Sequence, residues 1–244
     1  MKPLDINTHK THLTNILIDI YRDSDLGKAL GFKGGTAAMF FYSLPRFSVD
    51  LDFDLTNKLD PNSDQAKIVM NKLTTLLENK YRIKDQNLKF NTIFWALSYE
   101  DETRQIKLEI STRDQPFSQY DLMPFYGVTL KVSQIRDMIA NKMVAISERK
   151  PLANRDLFDT HYFLKSKYAT DINYQIIKHR TGKTPEAFYT DLLKLLKNIS
   201  DRNILDGLGE LIDEKQKHSV KTQMLKELIG LVERQMDIKT WVEK

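Results

Sequence analysis

Leu13, Ile16, Leu17, Ile20 and Tyr21 recur at helical spacing and predict an amphipathic first helix. Ala29 to Phe32 is a short apolar run, read as a strand. It leads into Gly34-Gly35-Thr36 and a buried helix over Ala37 to Tyr42, which Pro45 ends. Phe47 to Leu55 alternates apolar and acidic residues, a strand pattern. Ile68, Leu73, Leu76 and Leu77 mark another helix, with Asn62 or Ser63 as its cap. Ile93 to Tyr99 and Gln105 to Ser111 read as two strands around the polar turn Glu100 to Arg104, and Val128 to Val132 as one more. Beyond Ser133 the spacing turns helical: Ile135, Met138, Ile139, Met143 and Ile146 share a face. Further helices are expected from near Asn154, from near Thr184 with Pro185 at the first helical position, and from near Ser200. A last helix covers Val220 to Met236. The pattern is that of an α+β chain: a mixed sheet with flanking helices over residues 1–130, then a mainly helical part over 131–244, with no flexible linker between them.

Composition narrows the chemistry. The chain contains no cysteine, which excludes disulfides, thiolate zinc sites and cysteine nucleophiles. The first residues carry no apolar run of signal-peptide type, and no stretch approaches a membrane span. The expectation is a soluble, cytoplasmic protein without membrane contact. Net charge is +4, unevenly placed: residues 1–130 carry 16 Lys+Arg against 17 Asp+Glu, and residues 131–244 carry 21 against 16. A basic helical half suits a polyanion such as RNA, or is an ordinary basic surface. The histidines, among them His161, His179 and His218, show no ligand spacing and are read as surface or core residues.

The acidic segment Phe47-Ser48-Val49-Asp50-Leu51-Asp52-Phe53-Asp54-Leu55 holds the candidate chemistry. In a strand, Asp50, Asp52 and Asp54 project from one face. Such a row is tolerated when water or cations cover it. Carboxylates about 6–7 Å apart can share a pair of Mg²⁺ ions. Alone, the pattern equally describes a solvated edge strand. Upstream, Gly34-Gly35-Thr36 sits between a strand and a helix, where backbone amides and a helix N-terminus bind anions and glycine admits close approach. Thr36 would add a hydroxyl donor. Alone, this turn is a simple helix start; joined to the acidic strand, it supplies what a nucleoside triphosphate needs. Arg46, just before that strand, would grip phosphate or an RNA acceptor, or pair with a nearby Asp. Lys142 falls on the apolar face of its helix, where lysine is costly unless paired, facing a pocket or snorkelling at the margin.

The combination resembles the DNA polymerase beta-like nucleotidyltransferases, in which a Gly-Gly turn precedes Asp-x-Asp by about a dozen residues; here residues 37–49 intervene. Lys33-Gly34-Gly35-Thr36-Ala37 and Arg46-Phe47-Ser48-Val49-Asp50-Leu51-Asp52-Phe53 are similar to the motifs of the AbiEii/AbiGii toxin family, which includes the MenT toxins. The resemblance implies a polymerase-beta-like core. It implies metal ligation by Asp50 and Asp52, and nucleotide contacts from Gly34, Gly35, Thr36, Arg46 and Ser48. Glu109, on Gln105 to Ser111, stands where the family carries a third carboxylate, usually Asp; it would ligate metal, help deprotonate the attacking hydroxyl, or be an exposed strand acid. Asn141-Lys142-Met143 resembles the family's lysine motif, and Arg155-Asp156-Leu157-Phe158-Asp159 its fourth motif. Lys142 would contact triphosphate, and Asp159 or Asp156 would position Lys142 or the nucleotide. The implied activity is Mg²⁺- or Mn²⁺-dependent transfer from a nucleoside triphosphate to RNA, with the tRNA 3′ end as acceptor, by a phage-defence toxin that has a cognate antitoxin. Two other readings stay open: a protein or small-molecule acceptor, and a non-catalytic binding module of the same fold.

Overall fold

The structure is a computed structural model describing residues 5–56, 64–99 and 104–238. The proposed caps Asn62 and Ser63, and most of the turn Glu100 to Arg104, lie outside the described residues. The chain divides into two compact units: Met1–Ser43 with Phe47–Gln134, and Leu44–Arg46 with Ile135–Lys244.

The first unit is built on a seven-stranded mixed sheet. Its strands are β1 (Leu30–Lys33), β2 (Leu51–Leu55), β3 (Arg82–Lys89), β4 (Thr92–Tyr99), β5 (Arg104–Ser111), β6 (Tyr120–Phe125) and β7 (Val128–Ser133), in the order β3-β4-β5-β2-β1-β7-β6. Pairing is parallel for β2–β5 and β1–β7 and antiparallel elsewhere. Its helices are α1 (Ile6–Arg22), α2 (Ser24–Ala29), α3 (Gly34–Phe41) and α4 (Asp64–Glu78). Asp5 caps α1 by accepting from the amides of Asn7 and Thr8. The stripe Leu13, Ile16, Leu17 and Ile20 of α1 is fully buried, as are Leu30 and Phe32 of β1, Leu51 and Phe53 of β2, and Ile106, Leu108 and Ile110 of β5. Tyr126 and Gly127 close the β6–β7 hairpin with φ of 43° and 83°, the two positive angles of a type I′ turn.

Two strands were hidden from the hydrophobic pattern. The edge strand β3, Arg82-Ile83-Lys84-Asp85-Gln86-Asn87-Leu88-Lys89, has no fully buried residue, so no apolar alternation marks it. β6 exposes half of its residues and includes Pro124. β2 is also shorter than Phe47 to Leu55: regular pairing begins at Leu51. Its antiparallel partner β1 ends at Lys33, opposite Asp52, where the chain turns into α3. No strand remains on that side to pair with residues 47–50, so Asp50 precedes the strand instead of sharing its pleat.

The second unit consists of α5 (Ile135–Glu148), α6 (Asn154–Lys165), α7 (Tyr174–Thr181), α8 (Pro185–Lys197), α9 (Glu214–Ser219) and α10 (Leu225–Asp237). Helix α5 packs on α6 and α7, and α10 packs on α6 and α8. Thr184 caps α8 with Pro185 in the first turn. No regular helix begins at Ser200; residues 200–208 form turns, and the next α-helix starts at Glu214 behind an Asp213/Gln216 capping box. Val220–Met224 is a π-helical turn joining α9 to α10, so the expected last helix runs on through a bulge. Among the described residues no helix is long and apolar enough to cross a membrane.

Gly31 illustrates how tightly the sheet face is filled. A Cβ there would lie 2.2 Å from the Tyr120 ring, which reaches across β7 to cover β1. Gly31→Ala is therefore expected to lower unfolding free energy by about 1–3 kcal/mol in urea titration. Adding Tyr120→Ala should give a double mutant less destabilised than the sum of the two single changes.

Candidate functional site

In the sheet-bearing unit the glycine turn, the acidic strand and β5 meet at one register level. Asp52 pairs laterally with Lys33 on β1 and with Glu109 on β5. Neighbouring strands lie about 4.8 Å apart, and in-register residues of a parallel pair face the same way. The Asp52 and Glu109 carboxylates thus leave adjacent strands on one face, both partly exposed. Leu51, Phe53, Leu108 and Ile110 fill the opposite face.

Gly34 opens α3 at φ 80°, the left-handed region that favours glycine. A Cβ at 34 would lie 2.3 Å from an Asp52 carboxylate oxygen. Only a residue without a side chain lets the acid stand against the turn. Lys33, the N-cap residue of α3, makes no side-chain cap hydrogen bond. The Lys33 ammonium pairs instead with Asp54, which also accepts from the Tyr120 hydroxyl at 2.8 Å. Asp54 is 4% exposed, an inward acid with its own partners.

The Thr36 side chain turns to the main chain. It is fully buried and donates to the main-chain oxygen of Asp50. That bond ties the glycine turn to the segment carrying the first acid. Ser48 is also buried, in the loop leading to β2.

The second unit holds a buried charge network. Arg46 donates from Nε to one Asp159 oxygen at 2.5 Å and from a terminal nitrogen to the other at 2.6 Å, a bidentate pair. Lys142 lies 2.8 Å from Asp156 and 2.9 Å from Asp159. Arg149 reaches the second Asp156 oxygen at 2.7 Å. Asp156 and Asp159 are fully buried, one helical turn apart on α6. Both aspartates therefore hold Lys142, where the sequence left the choice open. Arg46 forms an ion pair with an aspartate, one of the two roles expected of it. Burial pushes the Asp159 carboxyl up, but the charges of Lys142 and Arg46 outweigh it and hold it below the usual carboxylate range.

A family model described as "Nucleotidyl transferase AbiEii toxin, Type IV TA system" matches residues 16–234, nearly the whole chain. The chain belongs to this family. It is a nucleotidyltransferase, and the AbiEii family implies a nucleoside triphosphate substrate and an antitoxin partner. A crystal structure from H. pylori, provisionally described as a nucleotidyltransferase, is similar over 100% of both chains at 21% identity, with a TM-score of 0.58. JHP933 from Helicobacter pylori is similar over 97% of each chain, also at 21% identity, with a TM-score of 0.50. At these identities the likeness concerns the fold, which is nucleotidyltransferase-like. No curated protein matches the sequence.

Strand alternation and spacing pointed to Asp52 and the glycine turn, while Glu109 was picked out through the family resemblance. Three residues around them were not readable. Lys33 and Tyr120 neutralise and cap Asp54, and the buried His9 of α1 bonds the main-chain oxygen of Val49 at 2.9 Å. A histidine on a helix gives no sequence signal for a partner 40 residues away. Among the described residues, no group of three or more His, Asp or Glu side chains is placed to hold a metal ion. The expected set of Asp50, Asp52 and Glu109 is therefore not a closed cage.

The network around Asp159 makes a stability prediction. A depressed carboxyl stabilises the fold above its unfolded pKa of about 3.9 and loses that contribution as pH falls through the lower folded value. Wild-type stability should accordingly fall on acidification below about pH 4. Asp159→Asn should cost about 3–5 kcal/mol at neutral pH, because the buried Arg46 and the part-buried Lys142 lose a charge partner. Its stability should also fall less steeply between pH 4 and pH 2 in urea titrations.

Proposed function

We propose that the protein transfers a nucleotide from a nucleoside triphosphate to the 3′ end of a tRNA in a Mg²⁺-dependent reaction. As the toxin of a toxin–antitoxin pair that serves phage defence, it would thereby block translation. The observation that carries the reading is the register of β1, β2 and β5, with Asp52 against the Gly34 turn on one side and level with Glu109 on the other. Asp50, Asp52 and Glu109 suit Mg²⁺ as an incomplete set. This ion is usually bound through one or two carboxylates, with substrate phosphates and water completing its shell. When bound, it supplies charge neutralisation at the triphosphate and acidifies the attacking hydroxyl. Mn²⁺ suits the same oxygen donors.

In this reading the Gly34 and Gly35 amides at the start of α3 bind the triphosphate. Asp52 and Asp50 fix the metal side of the site. Glu109 takes the proton from the acceptor hydroxyl. The hydroxyl oxygen bonds to the α-phosphorus as the bond to the β-phosphate bridging oxygen breaks, and pyrophosphate leaves. The excess of Lys+Arg in residues 131–244, 21 against 16 Asp+Glu, favours a polyanionic acceptor.

Purified protein incubated with each α-labelled triphosphate, Mg²⁺ and bulk tRNA should label tRNA. Asp52→Ala should cut incorporation by about 100-fold or more, and chelation with EDTA should abolish it. Label in protein alone would replace tRNA with a protein acceptor. Folded Asp50→Ala and Asp52→Ala variants that stayed fully toxic in cells would make growth inhibition a binding effect.

A further inference from the structure

Asp50 needs to be held in place, yet the sheet does not hold it. Residues 47–50 precede β2, and the pairing on both sides of that strand starts at Leu51 or Asp52. Two consecutive carbonyls of this segment, which lies outside the sheet ladder, are bound by side chains. The oxygen of Val49 meets Nε2 of His9 at 2.9 Å, and the oxygen of Asp50 accepts from the Thr36 hydroxyl. His9 and Thr36 come from α1 and α3 and are 1% and 0% exposed. A carbonyl only accepts, so Nε2 of His9 carries the hydrogen and donates it. In the neutral ring Nδ1 then accepts, and the Tyr99 hydroxyl stands 2.5 Å from it. Phe47 and Tyr99 meet the imidazole edge-on, with ring centroids 5.7 and 5.5 Å away. The ring is thus fixed in rotation, in its plane and in tautomer.

We infer that His9 is a positioning residue: clamped by Tyr99 and acting with Thr36, it stands in for the sheet pairing that ends at Leu51 and sets the backbone from which the Asp50 carboxylate reaches the metal. The inference rests on the reading of Asp50 as a metal ligand. Two amide oxygens fixed on either side of the Asp50 nitrogen and Cα leave that side chain little freedom beyond its own rotamers. A carboxylate displaced by about 1 Å would lose much of its use. Leaving the Val49 oxygen and the Tyr99 hydroxyl without the imidazole would also remove buried hydrogen bonds, so folding must be measured alongside.

The test reads Mn²⁺ affinity of the nucleotide-free protein by electron paramagnetic resonance, together with the melting temperature. His9→Phe is expected to weaken Mn²⁺ binding about tenfold or more, in the range seen when residues supporting metal ligands are changed. His9→Gln, whose side-chain amide keeps a donor for Val49, should recover most of that loss. Unchanged Mn²⁺ binding by a folded His9→Phe, with weakened binding by Asp50→Ala, would overturn the positioning role and leave the metal reading standing. Equal Mn²⁺ binding by wild type and Asp50→Ala would overturn the metal reading, and the inference with it. If His9→Phe does not melt cooperatively, Thr36→Val decides. It removes only the hydroxyl on the Asp50 carbonyl and is expected to weaken binding several-fold; an unchanged affinity overturns the clamp.

Discussion

The Asp52 carboxylate stands so close to Gly34 that a Cβ at that position would be 2.3 Å from one of its oxygens. This approach joins two features with opposite needs. The acid wants charge partners or water, and the start of α3 wants an acceptor for its amides. Glycine at φ 80° removes the steric barrier between them. The antiparallel register Lys33↔Asp52 then fixes the contact, because it ends β1 where the acid projects. β5 brings Glu109 to the same level through a parallel pairing.

The remaining acids of the segment have been given separate environments. Asp54 continues the alternation of β2 but is buried against Lys33 and Tyr120. Its charge is balanced within the sheet and does not add to that of Asp52. Asp50 lies just before the strand, where side chains from α1 and α3 bind the main chain. Three acids that look equivalent in sequence thus divide into one held by the ladder, one neutralised and one clamped from outside.

Legibility in the sequence followed the range of the interactions. Local periodicity gave the amphipathic stripe of α1, the alternation of β2 and β5, and the face of α5 that carries Lys142. Motif spacing joined Gly34-Gly35-Thr36 to Asp50 and Asp52, because both lie within one strand–helix–strand unit. The partner of Arg46 is 113 residues away, and no periodicity points from it to Asp159. The bond from the Thr36 hydroxyl to the Asp50 carbonyl was not legible, because sequence shows a donor but not the nearby carbonyl that accepts from it. β3 escaped notice since a polar edge strand carries no apolar alternation, and α7 because Asn173 caps a helix of only 8 residues.

The central claim is that Asp50 and Asp52 hold the metal that serves nucleotidyl transfer. It is tested most directly by a crystal structure with Mn²⁺ and a non-hydrolysable nucleoside triphosphate, using anomalous scattering to place the metal. An anomalous peak is expected about 2.0–2.3 Å from carboxylate oxygens of Asp50 and Asp52, with triphosphate oxygens in the same shell and the phosphates against the Gly34–Gly35 amides. A triphosphate bound elsewhere, or a metal held by neither aspartate, would contradict it.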